Sequence, residues 1–149
     1  MSEAFSGEQG LLWVFLVGFL SATLLPGGSE ALVVAQSCSG QVLWALWLTA
    51  SVSNTLGSFV NWGMGRWLLH YETRRWFPVK PHQRLKAERW FARWGKWSLF
   101  LAWLPVVGDP LTLVAGVLRV HWLTFLLLVG AGKALRYAVV LGLAGLAGC

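Results

Sequence analysis

The chain of 149 residues is apolar and basic, with 56% hydrophobic residues, 12% charged residues and a net charge of +6. Soluble domains are about one quarter charged, so the composition excludes an ordinary soluble domain and predicts one membrane domain over residues 11–149. The sequence contains no HExxH, GxSxG or GxxxxGK[ST] motif. We therefore expect no enzyme, no metal and no cofactor.

The first segment, from Leu11 to Ser39, is an apolar run that is interrupted after its fifteenth residue. The interruption is Pro26-Gly27-Gly28, and Glu30 follows it. Proline lacks an N–H group and glycine adds backbone freedom, so the break leaves polar backbone groups that hydrocarbon does not satisfy. Each arm is shorter than a membrane span, which favours a re-entrant hairpin over two full crossings. The residues before it contain Glu3 and Glu8 and no basic residue, unlike a secretory signal peptide.

A span is predicted next, from Gln41 to Leu69, with a polar stripe of Asn54, Ser58 and Asn61. Gly57 lies within the same stripe, where small residues let helices approach closely. Helix packing is the favoured role, and lining a transport path is the alternative for the asparagines. Arg66 lies near the end of the span, where it either snorkels to headgroups or belongs to a binding site.

The linker over residues 71–97 holds eight basic and two acidic residues, which accounts for the whole net charge. The positive-inside rule places it in the cytoplasm. A helix from His82 to Trp97 would be amphipathic, which predicts that it lies at the membrane interface and binds anionic lipid headgroups. Nucleic acid is the disfavoured alternative, because membrane segments flank the linker on both sides. Its aromatic face holds Trp90, Trp94, Trp97, Phe91 and Ala87, and its basic face holds Lys86, Arg89, Arg93 and Lys96.

A second broken segment follows the linker and matches the first at an offset of 79 residues. It contains Pro105, Gly108, Asp109 and Pro110. The offset places Pro26 on Pro105, Glu30 on Asp109, Gly40 on Arg119 and Gly57 on Arg136. Matched broken helices in two repeats indicate a substrate site at the membrane midplane, whereas chance similarity between apolar runs is the alternative.

The last span, from Val120 to Gly148, carries Lys133 and Arg136, which are three residues apart and share a helix face. A charge at the bilayer centre costs about 2.5–3.5 kcal/mol, so we expect these cations to pair with Glu30 and Asp109. The network is either a proton-responsive site that binds phosphate or a structural ion-pair network. Arg119 lies near the end of a segment, where the same two roles as for Arg66 stay open.

The predicted fold is an all-α integral membrane protein with two inverted repeats. Each repeat is a re-entrant broken helical hairpin plus a transmembrane helix, in half one (11–70) and half two (98–149), joined by the basic cytoplasmic amphipathic linker. Full crossing by both hairpins would instead give four spans and parallel repeats. A disulfide between Cys38 and Cys149 stays open, and so does a homodimer.

Four ordered motifs resemble the small YqaA-type branch of the DedA family, in the VTT, or SNARE-associated Golgi protein, superfamily. They are Leu24-Leu25-Pro26-Gly27-Gly28-Ser29-Glu30; Asn54-Thr55-Leu56-Gly57 with Gly65-Arg66; Trp103-Leu104-Pro105-Val106-Val107-Gly108-Asp109; and Gly132-Lys133-Ala134-Leu135-Arg136-Tyr137.

The resemblance implies a bacterial inner-membrane protein with two opposed re-entrant hairpins that moves lipids between leaflets, in some relatives with proton coupling. Glu30 matches the acid of the first hairpin, and Arg66 matches an aromatic-xxx-Arg motif that here begins with Trp62. Longer DedA proteins carry an acid at the position of Asn54 and arginines around Trp103 and Asp109.

The favoured function is therefore a transporter or scramblase for a lipid with an anionic phosphate head, such as a phospholipid or undecaprenyl phosphate. A scaffold that supports envelope integrity is the first alternative. A small-ion channel is the second, and it would need a continuous aqueous pore.

Overall fold

The computed structural model describes residues 7–23, 28–68, 70, 81–103 and 108–149. Within these ranges the chain is helical and has no strand, which confirms the all-α prediction. Pro26, Gly27 and Pro105 lie outside the described residues. The helices are α1 (Glu8–Thr23), α2 (Gly28–Cys38), α3 (Leu43–Leu68), α4 (Pro81–Trp94), a 3-10 helix (Gly95–Trp103), α5 (Gly108–Val117) and α6 (Trp122–Leu146).

Helix α6 is long and apolar enough to cross a membrane by length and composition. Helix α3 has a similar length of 26 residues, or about 39 Å at 1.5 Å per residue. Its buried serines and asparagines make it more polar than α6. The two predicted spans thus coincide with α3 and α6 within a few residues.

Exposed apolar side chains recur every fourth residue along α3 and α6, which leaves one apolar row on each helix. At the same time twelve polar or charged residues are buried among the described residues, against fourteen hydrophobic ones. An apolar exterior over a partly polar interior is what a hydrocarbon solvent favours. The rows are Trp44, Leu48, Val52, Leu56, Val60 and Met64 on α3, and Leu123, Leu127, Leu135, Val139 and Leu143 on α6.

The chain forms two compact units, Met1–Gly57 with Lys133–Cys149, and Ser58–Gly132. Helices α3 and α6 each contribute one part to both units. The units therefore follow packing between helices, whereas the predicted halves 11–70 and 98–149 follow chain order and stay a prediction.

The first unit joins α1, α2, the beginning of α3 and the end of α6. Its apolar core consists of Val14, Val33, Leu46, Ala50, Tyr137 and Leu141. Gly57 permits the close approach of α3 to α1, because an added Cβ would lie 2.6 Å from both the Phe19 carbonyl oxygen and the Ala22 Cβ. A disulfide between Cys38 and Cys149 joins the end of α2 to the residues after α6.

The second unit centres on Trp62, Leu99, Ala115, Phe125 and Val129. The Trp62 ring stacks on Phe59 at a centroid distance of 5.2 Å, and its Nε1 donates to the Val120 carbonyl oxygen at 3.0 Å. Gly65 of α3 and Gly116 of α5 bring their two helices together, since an added Cβ at either glycine would overlap the backbone of the other helix.

The turns after α2 and α5 have the same hydrogen bonds at an offset of 79 residues. Gly40 N donates to Ser37 O at 3.3 Å, and Arg119 N donates to Gly116 O at 3.1 Å. Gln41 N donates to Gln36 O at 3.2 Å, and Val120 N donates to Ala115 O at 3.1 Å. These are the paired bonds of a Schellman motif, so both short helices end in the same way.

The predicted linker helix is wrong at its end. It stops at Trp94 rather than Trp97, because Gly95 adopts a φ of 63° and a 3-10 helix follows. Its predicted aromatic face also divides: Phe91 packs against the core of the second unit, whereas Trp90 and Trp94 are exposed.

Candidate functional site

An ion pair between Arg136 of α6 and Glu30 of α2 is the main charged feature of the first unit. The Arg136 side chain is 12% exposed and the Glu30 side chain 21% exposed, so the pair is largely enclosed but accessible. Helix α2 begins at Gly28, which places Glu30 in its first turn, where a carboxylate also interacts favourably with the helix dipole. The predicted pairing of a hairpin acid with a cation of α6 is thus present for these two residues.

A hydrogen bond next to the ion pair joins the same two helices. The hydroxyl oxygens of Ser29 and Tyr137 are 2.8 Å apart, and both residues are buried. Each residue is the sequence neighbour of one member of the ion pair. The bond therefore fixes α2 against α6 at the level of Glu30 and Arg136.

Asn54 adds a buried amide to the first unit. Its Nδ2 donates to the Gly18 carbonyl oxygen at 3.0 Å and to Ser21 Oγ at 3.3 Å, so it ties α3 to α1. Within the described residues its Oδ1 accepts no hydrogen bond, and the buried Ser51 Oγ and Gln36 Oε1 also lack a partner. These atoms leave unused hydrogen-bonding capacity inside the unit.

Lys133 is 1% exposed, so its side chain is enclosed by protein. The neighbouring residue is fixed by Trp47, whose Nε1 donates to the Ala134 carbonyl oxygen at 2.8 Å. The expected pairing of Lys133 with a hairpin acid stays a prediction.

The second unit holds the other predicted site residues. Asn61 Nδ2 lies 3.5 Å from Thr112 Oγ1, and the fully buried Ser58 hydroxyl lacks a partner among the described residues. The backbone of Gly108, Asp109 and Pro110 forms the first turn of α5, while the Asp109 side chain lies outside the described part.

Two predicted cations of the second unit are exposed. The Arg66 guanidinium lies 5.2 Å from the centroid of the Trp62 ring in a cation–π contact. Arg119 lies in the turn after α5. In the described part of the chain, no group of three or more metal-ligating residues comes together.

The comparison with protein families decides the identity of this fold. The family model of the VTT domain matches residues 10–145. The chain belongs to the VTT-domain family. This confirms the resemblance that the four motifs indicated.

Curated relatives of this VTT chain match almost its full length. The inner membrane protein YqaA of Escherichia coli (strain K12) is 44% identical over 141 residues, which cover 94% of this chain and 92% of the relative. The Shigella flexneri protein of the same name gives the same values. A relative from Haemophilus influenzae is 36% identical over 148 residues, with 94% and 90% covered. No solved structure matches this chain significantly.

The relatives also confirm the predicted bacterial inner-membrane location. The family is one of membrane proteins rather than a known family of enzymes. Sequence reasoning did not find the bond between Ser29 and Tyr137. Both residues stand beside charged residues inside the quoted motifs, and that adjacency was the available signal.

Proposed function

We propose that this VTT protein moves a lipid with an anionic phosphate head between membrane leaflets, as a transporter or scramblase. The ion pair of Arg136 with Glu30 carries the proposal. Charges inside a membrane domain are costly and tend to be functional, and this pair retains partial exposure.

Arg136 supplies the phosphate-binding group. A guanidinium donates two parallel hydrogen bonds to phosphate as readily as to carboxylate, so an arriving headgroup competes with Glu30 for the same donors. Protonation of Glu30 removes the competing negative charge and frees the guanidinium. This exchange of partners would couple lipid binding to a proton.

The hydrogen bond of Ser29 with Tyr137 would keep α2 and α6 together while Arg136 changes partners. The unused acceptors Asn54 Oδ1 and Gln36 Oε1 offer sites for water or for a protonated group within the same unit. A polar interior of this kind lowers the cost of taking a charged head into the membrane domain.

The proposed topology is the pair of inverted repeats with re-entrant hairpins. The basic linker follows α3 and Cys38 precedes it, so the two lie toward opposite ends of a helix of about 39 Å. The linker belongs in the cytoplasm by its charge, and a disulfide belongs in the oxidising periplasm. The two criteria agree on one orientation.

The test is leaflet exchange in proteoliposomes that contain the purified chain. A fluorescent anionic phospholipid and a polyprenyl phosphate are compared with a fluorescent lipid that lacks net charge. We expect the protein to accelerate exchange of the phosphate-bearing lipids above empty liposomes. Exchange at the rate of empty liposomes for both would contradict the proposal and favour the scaffold, while current across planar bilayers without lipid exchange would favour a channel.

A further inference from the structure

We propose that the exposed side of α4 is a docking surface for the anionic phospholipid headgroups of the membrane in which the protein lies. This α4 surface consists of Lys86, Arg89, Trp90, Arg93 and Trp94. It is independent of the ion pair and of the proposed lipid movement.

Packing of one side chain fixes which side of α4 faces outward. Phe91 is half-buried and packs against the core cluster of the second unit. On a helix with 3.6 residues per turn, Arg89 and Arg93 lie on nearly the opposite side from Phe91. Lys86, Arg89 and Arg93 are all exposed, so three cations project away from the core.

Two indole rings flank this row of cations. Trp90 is 43% exposed and Trp94 is 55% exposed, and their ring centroids are 5.9 Å apart. The Arg93 guanidinium lies 5.7 Å from the centroid of the Trp94 ring. Trp97, just beyond the helix, is 70% exposed. Large rings left in contact with the surroundings beside cations are typical of the interface between headgroups and acyl chains.

Charge complementarity identifies the occupant. The linker that contains α4 carries the entire net charge of the chain, and Glu88 is the one acidic residue within α4. The cytoplasmic leaflet carries anionic lipid, and each basic residue near it contributes about fivefold to association. The cations would contact phosphate groups and the indoles would contact the glycerol region.

The test uses the full chain in detergent, titrated with phosphatidylglycerol or phosphatidylcholine and read by native mass spectrometry as lipids retained. The variant is the double change Arg89→Gln and Arg93→Gln. The matched control is Arg89→Lys with Arg93→Lys, which keeps both charges. Each variant is first shown to elute as a folded monodisperse species with its disulfide intact.

We expect wild type and the lysine control to retain phosphatidylglycerol over phosphatidylcholine, and the glutamine variant to lose about 25-fold in association with phosphatidylglycerol. Raised salt should weaken the preference. Equal retention by the glutamine and lysine variants would overturn the proposal. It would also be overturned if wild type shows no preference, or if a labelled duplex oligonucleotide, rather than phosphatidylglycerol, is what the glutamine variant ceases to bind.

Discussion

Gly40 and Arg119 occupy the same position of the same turn, 79 residues apart, and both have a positive φ, of 90° and 58°. The left-handed conformation suits glycine and disfavours other residues by about 1–2 kcal/mol. The repeat is therefore recorded in backbone conformation even where the residue types differ. Arg119 is the member of the pair that is not glycine.

We predict that Arg119→Gly raises the free energy of unfolding by about 0.5–1 kcal/mol, since it removes the cost of the left-handed conformation. Gly40→Ala should lower stability by about 1 kcal/mol. An added Cβ there meets nothing within 4 Å, so this variant isolates the conformational effect. Denaturation in detergent measures both, and a destabilised Arg119→Gly would instead reveal a needed side-chain contact.

We expect Gly57→Ala to destabilise the protein by about 1–3 kcal/mol, because the new Cβ would lie 2.6 Å from the Phe19 carbonyl oxygen of α1. Gly63→Ala on the same helix is the matched control, since its Cβ meets nothing within 4 Å. That control should stabilise α3 by up to about 1 kcal/mol through helix propensity. Thermal unfolding of the two variants compares them, and equal effects would contradict the close approach.

The disulfide should stabilise the protein by about 2–4 kcal/mol, because it closes a loop with a sequence separation of 111. Cys38→Ser, Cys149→Ser and the double variant should then lose the same stability, since either single change breaks the bond. Unfolding with and without reductant measures the loss. Additive effects of the two single changes would argue against the bond.

The sidedness of this disulfide gives a separate outcome. Thiol labelling of cells should modify Cys149 only after reduction in wild type, and without reduction in Cys38→Ser. An impermeant maleimide should suffice for both, because the proposed topology places the bond in the periplasm. Labelling that requires membrane permeabilisation would contradict that orientation.

The bond between Ser29 and Tyr137 should contribute about 1 kcal/mol, typical of a buried hydrogen bond. Tyr137→Phe and Ser29→Ala leave one hydroxyl unpaired, whereas the double variant removes both. A double-mutant cycle in unfolding free energy should give a coupling of about 0.5–1.5 kcal/mol. Zero coupling would show that the two hydroxyls do not support each other.

The sequence pattern was sufficient for the helical class, the membrane environment and the two long helices. Local chemistry explains why: apolar length identified α3 and α6, and Gly40 matched Arg119 because both end a short helix. The pairing of Glu30 with a cation of α6 also followed, because an isolated charge in hydrocarbon is too costly.

Long-range proximity was not accessible in the same way. Cys38 and Cys149 are far apart in the chain, and no spacing rule brings them together. The end of α4 was misplaced because aromatic periodicity continues to Trp97, while Gly95 turns the backbone earlier. Which of Lys133 and Arg136 meets Glu30 depends on helix rotation, and that is set by contacts such as Tyr137 with Ser29.

The central claim is that the Arg136 guanidinium binds the lipid phosphate in competition with Glu30. Its most direct test is the rate of leaflet exchange of an anionic lipid in proteoliposomes of Arg136→Gln, with the exposed Arg119→Gln as the matched loss of one charge. We predict that Arg136→Gln reduces exchange by at least about tenfold, as expected for the loss of a charged hydrogen bond, while Arg119→Gln exchanges like wild type. Wild-type exchange by a folded Arg136→Gln variant would contradict the account.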